Sequence, residues 1–359
     1  MIKLEPRSVP SRTWQILSPI VALLATVIVG ILLFALLGKS PIITLQTLFI
    51  APLSSFYGLT ELAVKAAPIL LIAVGLAVCF QAKVWNIGAE GQLTIGAISS
   101  SIVALAFPDV NNYGILLLSL IAGVLGGAIW GSIPAFLKVR FNANEILTSL
   151  MLNYVAISIL NYLVRGQLKD PQGFNFPESA PFGEFASLPS LIGGTRLHWG
   201  VIFAFFAAVL IWGVLRLTFF GFSVRVVGSS AIAPGGSKSI AAEYAGIKGD
   251  RIIWLSLLIA GGLAGLAGAC EVLGPIGQLR PTISPGYGYT AIIAAFIGRL
   301  NPLAIILSSL LMALLYVGGE LLQIKLALSN AIASLFQGIL FFFILAADML
   351  IYNRLQIRR

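Results

Sequence analysis

Polar and charged residues in this chain fall into short clusters, separated by apolar stretches mostly about twenty residues long. Ile16–Leu37 carries no charge and, at about 1.5 Å per helical residue, crosses a hydrocarbon core of about 30 Å. Nine further stretches follow: Leu59–Gln81, Ile87–Phe107, Gly114–Leu137, Glu145–Val164, Trp199–Leu217, Ile252–Leu273, Tyr287–Gly298, Leu303–Gln323 and Ala331–Tyr352. They are continuously apolar and lack period-two alternation, so helices rather than barrel strands are predicted. Small residues recur at one-turn spacing, Gly123, Gly127 and Gly131 in the fourth stretch and Gly261 and Gly265 in the seventh. Such faces let helix backbones approach closely.

Composition rules out a soluble globule: 58% of residues are hydrophobic, 10% are charged, and mean hydropathy is +1.00. The longest polar segments, 165–198 and 220–251, are of loop length, so residues 1–359 read as one transmembrane domain. The first apolar run is too long for a signal peptide and lacks a cleavage site, which makes it a retained helix behind a cytoplasmic 1–15. A net charge of +9 raises the question of a nucleic-acid partner, but its distribution answers differently. With ten spans, fifteen of the 22 Lys and Arg fall on one side, among them Lys3, Arg7, Arg12, Lys138, Arg140, Arg225, Lys238 and Arg354. Cationic loops stay cytoplasmic, so both termini and 220–251 are expected inside and 165–198 outside.

Two spans are irregular. The third opens with Asn86-Ile87-Gly88-Ala89-Glu90-Gly91-Gln92, and the eighth is short and follows Pro281, Pro285, Gly286 and Gly288. Each is third in its half when the chain is split five plus five, and the halves then have inverted topology. Paired breaks in inverted halves suggest a transporter, with both breaks facing the bundle interior beside a solute path. Bulky residues at Gly88, Gly91, Gly286 or Gly288 should therefore do more harm than at Gly30 in the first span.

Soluble-enzyme chemistry is sparse. The single histidine, His198, adjoins Trp199 at an expected membrane interface, and Cys79 and Cys270 lie in apolar surroundings without metal-ligand spacing. Gly38-Lys39-Ser40 resembles the tail of a phosphate-binding loop, but Leu33 stands where that motif needs glycine. Glu90 reads either as a first-turn acid of a helix begun by Asn86 or as a lining of the solute path. Glu145 after Asn144 has the same helix-start reading, while Glu271, Glu320 and Asp348 lie near span ends where they can reach water. Asn153 sits mid-span, one turn beyond Ser149, and offers an interhelical hydrogen bond or a contact to a passing solute. Asn86, Glu90, Gln92, Asn153 and Tyr289 are the candidate path residues. An ion-coupled transporter would need mid-membrane carboxylates, and the acids are expected near span ends. An intramembrane enzyme would need a nucleophile or metal cluster, for which no pattern is seen.

Within 220–251, Ser237 to Ala245 forms an Ala-rich run closed by Gly246, a short helix too polar to span and too short to stand alone. It is expected to dock against the membrane surface or a partner protein.

Five segments in order, NIGAEGQLTIGA (86–97), ANEILTSLMLNY (143–154), SPGYGYTAI (284–292), GRLNPLAI (298–305) and LFQGILFFFILAAD (335–348), resemble bacterial ABC importer permeases. The group is the branched-chain amino acid and ribose type, nearest to nucleoside and simple-sugar permeases served by a basic-membrane-protein-type lipoprotein receptor. The resemblance implies an all-α, multi-pass plasma-membrane protein with no cofactor of its own. It also implies a second permease chain, ATPase subunits that use the ATP, and a receptor outside. Ala241, Ala242, Glu243, Tyr244 and Gly246 match the cytoplasmic loop that docks on the ATPase. The family's Asn-Pro after Val227-Gly228 is absent, replaced by a longer stretch containing Pro234-Gly235-Gly236.

Overall fold

The computed structural model describes residues 2–7, 11–108, 110–229, 242, 246–329 and 331–357. Among them are nine helices long and apolar enough to cross a membrane. These are α1 Arg12–Leu36, α3 Phe56–Gln81, α4 Ala89–Ala106, α5 Gly114–Phe141, α6 Glu145–Arg165, α7 Gly200–Leu217, α9 Gly249–Glu271, α11 Pro302–Leu326 and α12 Ala331–Tyr352. Three shorter helices lie between them: α2 Pro41–Leu45, α8 Phe219–Ser229 and α10 Tyr287–Ile297. Each expected span has its helix, and the short eighth span is the 11-residue α10. Two further helical segments, Pro41–Leu53 and α8, lie where the hydropathy pattern predicts no span.

Local chemistry fixes the ends. Asn144 caps α6 by accepting from the Ile146 amide at 2.9 Å, and Lys138 in the last turn of α5 pairs with Glu145 at 3.0 Å. Asn142 takes the left-handed conformation that lets α5 turn directly into α6.

Contacts divide the chain into two units, Met1–Leu62 with Leu311–Arg359, and Ala63–Leu310. In the first unit α1 packs on α12, with Phe34 and Phe336 stacked at 5.4 Å and Ser18 Oγ donating to Asp348 at 2.8 Å. Lys39 satisfies the Leu326 carbonyl at the end of α11. The ends of the chain pair: strand β1 Ile2–Pro6 runs antiparallel to β2 Asn353–Ile357.

In the second unit α4, α5 and α9 meet backbone to backbone. A Cβ built on Gly127 would lie under 3.0 Å from Gly261 and Gly265, and one on Gly96 under 3.0 Å from Gly265. The one-turn glycine spacing is thus a three-helix junction without side chains, where dispersion between close backbones replaces the hydrophobic effect that lipid removes.

At the far end of α6, residues 166–198 pack along the chain that leaves α9. Leu188 donates to the Leu273 carbonyl at 2.7 Å and Ser179 to that of Leu279 at 3.0 Å. His198 is not an exposed interfacial side chain; only 3% of it is exposed. Its Nδ1 accepts from the Gly200 amide at 3.1 Å, and its Nε2 has no hydrogen-bond partner. Burial pushes the imidazole down to about 4. Glu271, expected to reach water, is also buried, because the helix continues past it as a π turn over Val272–Ile276.

Two outcomes follow. Gly265→Leu has no room to relax against backbone and should cost at least about 3 kcal/mol, read as lost melting temperature in detergent. Gly338→Leu, with nothing near its Cβ position, should melt like wild type. For His198 the folded imidazole titrates near 4 and the unfolded one near 6.5. The unfolded chain binds more protons in that window, so stability intact above about pH 6.5 falls as pH drops toward 4, by about 3 kcal/mol at most. Hydrogen exchange across 166–198 should rise over that window in wild type and stay flat in His198→Gln.

Candidate functional site

Just past the end of α3, Lys83 with a φ of +56° turns the chain back on itself. This end lies against the C-terminal end of α10: Gln81 Nε2 donates to the Leu300 carbonyl at 2.7 Å, and Phe80 and Trp85 stack on Phe296 at 5.3 and 6.2 Å. From there Val84–Gly88 runs without helical structure alongside α10, and α4 begins where α10 begins. Gly288, in the first turn of α10, donates its amide to Glu90 Oε2 at 2.7 Å. Eleven residues of α10 measure about 16 Å, so Glu90 lies that far from the Leu300 end.

The opposite approach to the same point is equally irregular. Leu279 is tied to Ser179 in the 166–198 segment at 2.9 Å, and five residues further on Ser284 reaches Glu90. Residues 277–286 are non-helical and lead directly into α10.

Helix α6 holds the same point from a third side. Ser149 accepts from the Ile87 amide at 3.1 Å. One turn later Asn153 Oδ1 accepts from the Gly91 amide at 2.8 Å, and its Nδ2 donates to the Ile87 carbonyl at 2.9 Å and to Tyr289 Oη at 3.3 Å. Asn153 is the ninth residue of a 21-residue helix, so the cluster lies against the middle of α6. Backbone polar groups there have no water, and each break is satisfied by protein. Asn86 Oδ1 accepts from the Gly88 amide at 3.0 Å, and Asn86 and Gln92 exchange amide hydrogen bonds at 3.1 and 3.3 Å. Ser284 Oγ accepts from the Gly286 and Tyr287 amides at 3.1 and 2.8 Å, which leaves its proton for the hydrogen bond to Glu90. Glu90 thus joins the N-termini of two helices, where both dipoles favour a carboxylate.

The structure gathers all five candidate path residues into one network. Asn86, Gln92 and Asn153 are at most 1% exposed and Glu90 is 6% exposed, whereas Tyr289 is 40% exposed. The four buried groups contact protein and hold the breaks in shape; Tyr289 reaches the surface. One expectation is corrected. Asn86 does not begin α4: Gly88 is its N-cap, and Asn86 supports it from two residues back. Glu90 stands in the first turn of α4, where its carboxylate meets the start of α10. Sequence reasoning also missed Tyr154, 60% exposed at the middle of α6; its adjacency to Asn153 was the available signal.

Glycines permit the contact. A Cβ on Gly288 would lie under 3.0 Å from Glu90, on Gly88 under 3.0 Å from Ser149 and on Gly91 under 3.0 Å from Asn153; Gly286 has a φ of +100°. Gly30, expected to be tolerant, instead underlies the Phe336 ring, so it is no neutral control. In the expected ATPase-docking segment Ala242 is buried within the chain itself. Its carbonyl accepts from Ile247 at 2.8 Å, and Gly246 has a φ of +69°. Ala241, Glu243 and Tyr244 lie outside the described residues.

Glu90→Ala should leave the Gly288 amide and the Ser284 hydroxyl unpartnered in the interior, at about 1–3 kcal/mol for each stranded group. Glu90→Gln retains an acceptor and should fall between Ala and wild type. Melting temperatures of the three proteins in detergent check the order.

Known proteins were compared with this chain. Residues 58–345 match the family described as branched-chain amino acid transport system, permease component. The glucose ABC transporter permease protein TsgB13 of Haloferax volcanii is 33% identical, over 97% of this chain and 91% of that protein. The guanosine ABC transporter permease protein NupP of Bacillus subtilis is 30% identical, over 93% and 94%. The nucleoside ABC transporter permease protein NupB of Lactococcus lactis is 29% identical, over 86% and 85%.

Proposed function

Because the chain belongs to the family of branched-chain amino acid transport system permease components, we propose that it is the membrane permease subunit of an ATP-binding-cassette importer for nucleosides. The observation that carries a transport role is the meeting of two broken helices at mid-depth around Glu90. Irregular backbone at that depth is a feature of solute pathways rather than of inert bundles. The choice of nucleoside rests on the relatives named for guanosine and nucleosides. A simple sugar is the second reading, favoured by the similarity to a permease named for glucose.

In this reading the chain contributes half of a pathway, and a second permease chain, identical or homologous, contributes the rest. ATP is bound and hydrolysed by partner subunits, and an extracytoplasmic lipoprotein receptor delivers the solute. The whole of 1–359 acts as one permease domain with both termini in the cytoplasm, as the excess of Lys and Arg on that side supports. Segment 220–251 faces the ATPase, whose closure is transmitted through Ala241, Ala242, Glu243, Tyr244 and Gly246 to open the bundle away from the receptor. An ion-coupled mechanism is the less favoured alternative. It could use Glu90, but that carboxylate is already engaged by Gly288 and Ser284.

The test is uptake by proteoliposomes containing the permease pair, ATPase and receptor. Labelled guanosine should enter with ATP, continue when proton and sodium gradients are collapsed, and be displaced by other nucleosides but not by glucose. Uptake that follows an ion gradient without ATP would refute the importer reading; displacement by glucose alone would transfer it to sugars. Orientation is checked separately with single cysteines. Replacements at Ser55 and at Phe174, which is 94% exposed, should react with an impermeant thiol reagent in intact cells. A replacement at Ser237 should react only after permeabilisation.

A further inference from the structure

Two exposed tyrosines flank Asn153 near the middle of α6: Tyr154 follows it in the chain, and Tyr289 is hydrogen-bonded to it. Tyr154 is the tenth of the 21 residues of α6 and is 60% exposed, while Tyr289, one residue past Gly288 in α10, is 40% exposed. Each lies within electrostatic range of the other. Tyrosine belongs to membrane interfaces, where its hydroxyl meets water. At half-depth an exposed hydroxyl facing acyl chains would have nothing to bond, a strongly unfavourable state. Tyr289 Oη accepts from Asn153 at 3.3 Å and keeps its own proton to donate. Among the described residues the Tyr154 hydroxyl has no hydrogen-bond partner. A surface offering two unused phenolic protons at that depth suits water and polar solutes, not lipid.

The rings are also held in advance of any ligand. Asn153 is fixed by the Ile87 carbonyl and the Gly91 amide, so Tyr289 is positioned by a group that cannot move without releasing the start of α4. Binding to such a surface requires little further ordering of its side chains. Two exposed aromatic rings that each retain a phenolic proton match a flat heterocycle bearing hydrogen-bonding edges, since stacking tolerates any base while a hydroxyl can engage its polar rim. We infer that Tyr154 and Tyr289 form the pathway contact for the planar ring of the solute, with Asn153 as the positioning residue behind Tyr289. The inference rests on the nucleoside-importer reading above and names the side chains that would favour a nucleobase over a sugar.

The test uses the assembled importer in proteoliposomes. Tyr154→Leu and Tyr289→Leu should each lower the efficiency of ATP-driven guanosine uptake roughly tenfold or more through lost stacking. Tyr154→Phe keeps the ring and should lose only a few-fold. Tyr162→Leu, on the same helix and 67% exposed, should transport like wild type. Assembly is monitored by co-purification of the ATPase. As a readout that does not depend on transport, Tyr154→Cys should react with a small hydrophilic thiol reagent and be protected by guanosine; Cys79 and Cys270 are buried and give a silent background. Normal uptake by both Leu variants would overturn the inference. So would labelling of the cysteine only by lipophilic reagents, or its cross-linking to the second permease chain, which would make this face a subunit interface. Absence of ATP-driven nucleoside uptake by the wild-type complex would instead overturn the reading beneath it, and the two failures are distinguishable.

Discussion

The hydrogen bond from the Gly288 amide to the Glu90 carboxylate is the contact on which the rest of the second unit depends. Lipid supplies no partner for an interrupted backbone, so a chain that breaks two helices at half-depth must satisfy every freed amide itself. Here it does so with a small set of side chains: Glu90 and Ser284 for the start of α10, Asn86 and Asn153 for the start of α4. Glu90 of α4 holds the start of α10, and Asn153 of α6 holds the start of α4, so the three helices are linked through one set of polar contacts. This is the kind of shared polar network that makes two elements switch together rather than one at a time.

Around this network the packing is deliberately bare. Gly96, Gly127, Gly261 and Gly265 bring three helices into backbone contact, and Gly288 brings the first turn of α10 against Glu90. Close packing by small residues suits a bundle that draws no hydrophobic energy from excluding lipid. It also explains why the polar side chains near the centre are so well buried: with backbones this close, Asn86, Gln92 and Asn153 reach their partners directly.

Much of this was legible in the sequence, for a physical reason. Twenty-residue apolar runs, one-turn glycine spacing and polar, glycine-rich breaks in two spans are each dictated by the bilayer as solvent, and each appears where its residues stand. What escaped depends on where irregular chain travels. Nothing in Val84–Gly88 says that the start of α4 meets the start of α10, so the sequence shows Glu90 at one helix entrance and not at two. His198 and Glu271 follow the composition of interfacial residues, but the packing of 166–198 over the end of α9 buries the first and a π-helical extension buries the second. The pairing of β1 with β2 joins residues at opposite ends of the chain, a register that local pattern cannot reveal.

The proposed transport cycle places the aqueous path beside these broken helices and its drive at the ATPase-facing loop. Its central claim is that the two breaks meet in the protein interior. The most direct measurement is a side-chain-resolution cryo-electron microscopy map of the assembled importer in lipid nanodiscs. The account predicts the N-termini of α4 and α10 facing each other at the midplane, with the Glu90 carboxylate between them and Tyr289 turned toward water. Density placing Asn86–Gln92 or Ser284–Tyr289 against acyl chains would contradict it.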